Sequence, residues 1–146
     1  MVKLLFVLMN EYRLWALPQA LAALERRYPG AVEGRVYSVR EINADAGLER
    51  ALLADGAAAD MAFLASHGSI QNLYCFSRLW EALEGRPVYF PSTMGDELAE
   101  LLPRLGLEPA LYAALDSYYQ AGSPGDLEGL VLCALNGRFG GDYPLS

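Results

Sequence analysis

Val2-Lys3-Leu4-Leu5-Phe6-Val7-Leu8-Met9, cut off by Asn10-Glu11, is the stretch whose reading decides the fold. An apolar run this short, with no polar alternation, reads as a strand covered on both faces, the situation inside a parallel sheet. Further along, Met61-Ala62-Phe63-Leu64-Ala65 repeats the pattern and is closed by Ser66-His67-Gly68-Ser69. Val88-Tyr89-Phe90 repeats it before Pro91-Ser92-Thr93, and Val32 to Val39, carrying Val36 and Tyr37, supplies another strand. Between these runs the apolar period becomes helical. Leu17, Leu21, Leu24 and Tyr28 give a helix from Pro18 to Tyr28, stopped by Pro29-Gly30. Asn43 reads as the cap of a second helix, with Leu48, Leu52 and Leu53 on its apolar face and Gly56 at its end. Leu73, Phe76, Trp80 and Leu83 share one face of a third, with Gly85 after it. The order βαβαβαβ selects a parallel sheet with helices on both faces. Right-handed crossovers make this a three-layer, doubly wound α/β domain, flavodoxin-like or Rossmann-like, with a four-stranded parallel sheet.

Residues 1–95 are therefore expected to form the doubly wound core, and residues 96–138 a helical extension packed on the same domain. Asp96 to Leu105 reads as a helix bent near Pro103, and Pro109 to Gln120 as another. Ser123-Pro124-Gly125-Asp126 is a strong helix start, with serine at the N-cap, proline at the first helical position and an acid three residues on. Leu127, Leu130, Val131, Ala134 and Leu135 supply that helix's apolar face. Residues 139–146 read as the beginning of a linker, and so as part of something longer.

Composition narrows the function classes. The chain has 146 residues, 53% hydrophobic and 20% charged, which fits one domain with a real core. Eleven Lys and Arg against 18 Asp and Glu give a formal charge of −7, the wrong sign for a nucleic-acid partner. The first apolar run is too short to span a membrane and has no signal-peptide cleavage site. Two cysteines, Cys75 and Cys133, make neither a disulfide framework nor a zinc motif. A cytoplasmic protein is expected. No G-x-G-x-x-G follows the first strand and no Walker sequence is present.

Ligands of doubly wound sheets gather at the carboxyl ends of the strands. Three such ends carry candidates: Asn10-Glu11, His67-Gly68-Ser69 and Thr93. A strand-to-helix loop offers backbone N–H groups to an anion, and His67, the chain's only histidine, is suited to proton shuttling or metal binding. Each has a plainer reading. His67-Gly68-Ser69 also suits a tight turn, Asn10 and Glu11 a solvated loop, and Ser92-Thr93 a helix N-cap. No residue is assigned a catalytic or metal-ligating role. Cys75 and Cys133 read as packing residues, and Tyr112, Tyr118 and Tyr119 as packing or a subunit contact.

Several of these features recur in order. His67-Gly68 is followed by a helix, by Arg86-Pro87-Val88-Tyr89-Phe90, by Tyr118-Tyr119, by Gly122-Ser123-Pro124-Gly125, and by Asp126-Leu127 opening a leucine-rich helix. That order resembles the N-terminal region of the large subunit of cobaltochelatase and magnesium chelatase. The family pattern there is His-Gly-Gly, then Gly-Ile-Pro-Val, a tyrosine, Gly-Gly, and Glu-Asn-Leu at the start of the last helix. The closing Phe139-Gly140-Gly141-Asp142-Tyr143-Pro144 is similar to the family's passage into a proline-rich linker. The chain departs from the pattern at Ser69, at Ser123-Pro124 and at Asp126. The resemblance implies a head domain that encloses substrate or contacts subunits, in cobalamin or chlorophyll biosynthesis. It implies no cofactor bound by this chain itself. Tetrapyrrole, a divalent metal and ATP would belong to the whole complex, with the ATPase subunits and the downstream domains of the same subunit as partners.

Two other readings stand beside it. His67-Gly68-Ser69 is similar to the His-Gly-Ser of small sirohydrochlorin chelatases, although there it follows the first strand and here the third. The other is a freestanding flavodoxin-like module for a small molecule or a protein. Receiver-type phosphorelay is disfavoured, because it needs an acidic cluster after the first strand and a phosphoacceptor Asp after the third, and those places hold Asn10-Glu11 and Ser66-His67.

Overall fold

Phe6 sits in the middle of a row of side chains that crosses the sheet. The computed structural model describes residues 1–9, 11–65 and 72–145. Within it, β1 (Val2–Leu8), β2 (Val32–Ser38), β3 (Met61–Ala65) and β4 (Val88–Tyr89) are all parallel, in the order β2-β1-β3-β4. Phe6 pairs with Val36 on one side and Phe63 on the other, and Phe63 pairs with Tyr89. Strand side chains alternate, so Leu4, Phe6, Leu8, Phe63 and Tyr89 join one core, while Leu5, Val7, Ala62, Leu64, Val88 and Phe90 join another. Burial on both faces is what the unbroken apolar runs required, and each fully buried Leu or Phe contributes about 1.5–3 kcal/mol.

The first core lies under α1 (Glu11–Arg27), α6 (Pro109–Ala121) and α7 (Pro124–Phe139). The second lies under α2 (Val39–Ala44), α3 (Ala46–Ala58), α4 (Phe76–Ala82) and α5 (Asp96–Leu101). The architecture is a flavodoxin-like, three-layer α/β domain. Residues 96–138, expected as an extension, divide between the layers: α5 covers the second core, whereas α6 and α7 complete the layer that α1 begins. Small residues make that fit possible. A Cβ built on Gly129 of α7 would lie 2.4 Å from Cε1 of Tyr118 on α6. No helix among the described residues is long and apolar enough to cross a membrane.

Several boundaries differ from the sequence-based expectation, among them Gly56, which lies inside α3 rather than at its end. α1 begins at Glu11, seven residues before Pro18, which lies inside the helix. An interior proline costs about 3 kcal/mol, and burial of Ala16, Leu17, Ala20 and Leu24 on the sheet offsets it. Asn43 does not cap the second helix. Asp45 does, its Oδ1 accepting from the N–H groups of Gly47 and Leu48, and Asn43 instead bridges Asn72 O and Tyr74 N. Ser92-Thr93 form no N-cap either: Ser92–Met94 is a single 3-10 turn, and Gly95, at φ 64°, precedes α5. The bend expected near Pro103 is a 3-10 turn, Leu102–Arg104.

The capping box before α7 forms as the sequence predicts. Ser123 Oγ accepts from Asp126 N–H at 3.1 Å, and Asp126 Oδ2 accepts from Ser123 N–H at 3.1 Å. Within the expected linker start, Asn136 holds Tyr143 by both backbone groups at 2.8 Å, and the Tyr143 ring lies 4.8 Å from that of Tyr28.

Candidate functional site

The chain leaves β1 toward β2 on the α1 face and returns to β3 on the opposite face. The topological switch point therefore lies between the carboxyl ends of β1 and β3, where such sheets hold ligands. Met9 N–H donates to Ala65 O at 3.0 Å, extending the β1–β3 pairing by one residue into this edge. Asn10, His67, Gly68 and Ser69, singled out from the sequence, lie outside the described residues. Glu11 and Thr93 lie within them. Glu11 opens α1, and its carboxylate stands 3.5 Å from Arg40 on α2 with both side chains exposed, a pair worth little in water. Thr93 is exposed on the 3-10 turn after β4.

Two residues to which sequence reasoning assigned no role organise this edge. Arg13, on the first turn of α1, donates from Nε and Nη2 to Tyr119 O at 3.1 and 2.7 Å, and from Nη2 to Gln120 O at 3.4 Å. Its guanidinium also lies 4.2 Å from the centroid of the Tyr119 ring. A cation there answers carbonyls that the end of α6 leaves without helical partners, and it complements the helix dipole. Gly122, at φ 75°, lets the chain turn beneath it: a Cβ there would stand 3.1 Å from Arg13 Nη2.

Asp116 is the second. It accepts from Tyr89 Oη at 2.6 Å, from Ser92 N–H at 3.0 Å, from Ser92 Oγ at 2.7 Å and from Gln120 Nε2 at 3.4 Å. Burial pushes the Asp116 carboxyl up, but the hydrogen bonds from Tyr89, Ser92 and Gln120 outweigh it and hold the group below its ordinary value. Burial, reinforced by Asp116, pushes the Tyr89 phenol well above its ordinary value and that of Tyr112 up to about 12. Tyr112 Oη donates to Phe90 O at 2.7 Å, so both tyrosines stay neutral donors across the physiological range. An ionised, fully paired carboxylate of this kind anchors a loop and is no general base.

Other chemistry is thin among the described residues. Burial raises both cysteine thiols, Cys75 before α4 and Cys133 in α7, away from nucleophilic reactivity. No cluster of three or more His, Cys, Asp or Glu among the described residues could hold a metal ion. What the edge does expose is aromatic surface. Tyr12 and Trp15, on the first two turns of α1, are 50% and 58% exposed, with ring centroids 5.7 Å apart. The sequence held a signal for Asp116, a lone acid among the tyrosines of one amphipathic helix; it held none for Arg13, whose partner is 106 residues away. No protein-family model matches this chain, and no curated protein matches it.

Proposed function

We propose that this chain is the N-terminal head of a tetrapyrrole metal-chelatase large subunit, enclosing substrate or contacting partner subunits rather than inserting metal itself. The observation that carries this reading is where the stretch behind the resemblance comes to rest. Tyr118-Tyr119, Gly122 and the Ser123–Asp126 capping box form the α6–α7 turn, and Arg13 ties that turn to the start of α1. Residues far apart in the chain thus meet beside the switch-point edge, where a substrate of a doubly wound sheet would lie. Tyr12 and Trp15 add exposed aromatic surface there, two rings tilted 44° to each other, and either ring could stack on a macrocycle. In this reading the divalent metal is cargo, ATP belongs to separate subunits, and the chain contributes shape and contacts.

The freestanding-module reading draws on the same exposed Tyr12–Trp15 pair, which suits a small planar ligand or a protein surface equally well. An insertion assay separates the readings. The chain is incubated with a free-base porphyrin or corrin and Co²⁺ or Mg²⁺, alone and with the downstream body of a chelatase large subunit plus its ATPase subunits. The expected result is no insertion by the chain alone and a gain in rate when it is added to the other components. Insertion by the chain alone favours the small-chelatase reading, and no effect in either setting favours the freestanding module.

A further inference from the structure

The opposite edge of the sheet carries a cavity that the chelatase reading does not use. α4 runs back from the carboxyl edge to the amino edge, so its end and the residues leading into β4 lie far from the switch point. There, a cavity of about 240 Å³ is lined by Trp80, Leu83, Glu84, Arg86 and Val88, and by Arg104 from the turn after α5. Two arginines beside the Trp80 ring set its chemistry. Arg104 lies with its guanidinium carbon 4.9 Å from the centroid of the Trp80 ring. Arg86 is fixed by its Nη1, which donates to Gly56 O at 3.0 Å and Ala82 O at 2.9 Å.

Neither arginine pairs with a carboxylate among the described residues, although Glu84 also lines the cavity. In a chain of net charge −7, two guanidinium groups without a carboxylate partner among the described residues, lining one concavity, make a local cationic spot. Planar guanidinium forks are complementary to an oxyanion. Leu83 and Val88 provide an apolar floor for a short carbon skeleton, and the volume is below that of a drug-sized ligand.

We propose that this cavity binds a small oxyanion, a carboxylate or a phosphate, with Arg86 and Arg104 donating to it and supplying the counter-charge and the Trp80 ring beside it. The site is independent of the tetrapyrrole reading, because it lies on the other edge of the sheet and involves none of the same residues.

Trp80 is its own reporter. With Trp15→Phe as background, Trp80 is the only tryptophan, and its emission is followed during titration with succinate, inorganic phosphate or chloride at constant ionic strength. The expected result is a saturable change with succinate, phosphate or both, none with chloride, and a half-saturation raised about tenfold by Arg104→Gln. A response to succinate alone identifies a carboxylate ligand, and one to phosphate alone identifies a phosphate ligand. Because Arg104 is exposed, its replacement leaves the fold intact, and Arg86→Gln serves as a second variant. A linear response, an equal response to chloride, or a half-saturation unmoved by either arginine variant overturns the proposal.

Discussion

Under α1, α6 and α7, the buried hydroxyl of Tyr89 meets Asp116, and Tyr112 and Arg13 meet the carbonyls of Phe90 and Tyr119. Under α2 to α5, the buried indole nitrogen of Trp80 meets no acceptor among the described residues, Tyr37 Oη donates to Asp55 of α3, and the other aromatic residues are Phe76, Trp80, Phe90 and Tyr112. The contrast follows from connectivity. On this side α2, α3 and α4 are held between consecutive strands, with Tyr37 and Asn43 adding directional bonds, and the six-residue α5 follows the last strand. α6 and α7 come after the last strand, and no following strand fixes where they dock. Apolar burial is non-directional, so the directional bonds of Asp116, Tyr112 and Arg13 set their position. The same bonds assemble the edge at which a ligand is expected.

The contrast breaks most severely at Asp116. Asp116→Ala leaves the buried Tyr89 hydroxyl and the Ser92 donors without their acceptor, with an expected loss of about 2 kcal/mol in urea unfolding. Adding Tyr89→Phe removes one of the orphaned donors, so the double variant should lose less than the sum of the two single changes. Strict additivity would mean that the bond seats nothing. Next comes Gly129→Ala. The new methyl meets the Tyr118 ring, and overpacking of about 1–3 kcal/mol should exceed the roughly 1 kcal/mol that alanine gains over glycine in a helix. An increase in urea midpoint would show that α6 and α7 are not in close contact there.

Arg13→Met keeps an apolar stem but removes the donors to Tyr119 and Gln120. The expected loss is about 1 kcal/mol, with faster amide exchange concentrated at the α6–α7 turn. Exchange that rises uniformly would contradict a local clamp. The smallest effect is in pH. The folded carboxyl of Asp116 lies below its unfolded value, so its contribution is present above the ordinary carboxylate pKa of about 3.9 and fades as pH falls through the depressed folded value. Asp116→Asn should therefore lose less stability than the parent between pH 5 and pH 3. Parallel pH profiles for the two proteins would remove Asp116 from the account.

β3 was legible residue by residue, Met61 to Ala65, because burial on both faces leaves no alternative to an apolar run. The Ser123–Asp126 capping box was equally legible, since its whole mechanism spans four residues. The start of α1 was not. Pro18 is a strong local breaker, and only tertiary burial of Leu17, Ala20 and Leu24 overrules it. Asn43 and Asp45 are both good caps two residues apart, and the choice depends on Asn43 finding Asn72 and Tyr74 across the fold. Arg13 and Asp116 show the same limit at the candidate edge: their partners are fixed by topology, and no local pattern announces them.

The two tryptophans report the two edges separately, Trp15 at the start of α1 on the carboxyl side and Trp80 toward the amino side. Single-tryptophan variants, Trp80→Phe and Trp15→Phe, titrated with a free-base porphyrin or corrin, test the head-domain claim directly. The account predicts saturable quenching of Trp15 with Trp80 unmoved. Quenching confined to Trp80, or no saturable response from Trp15, would contradict it.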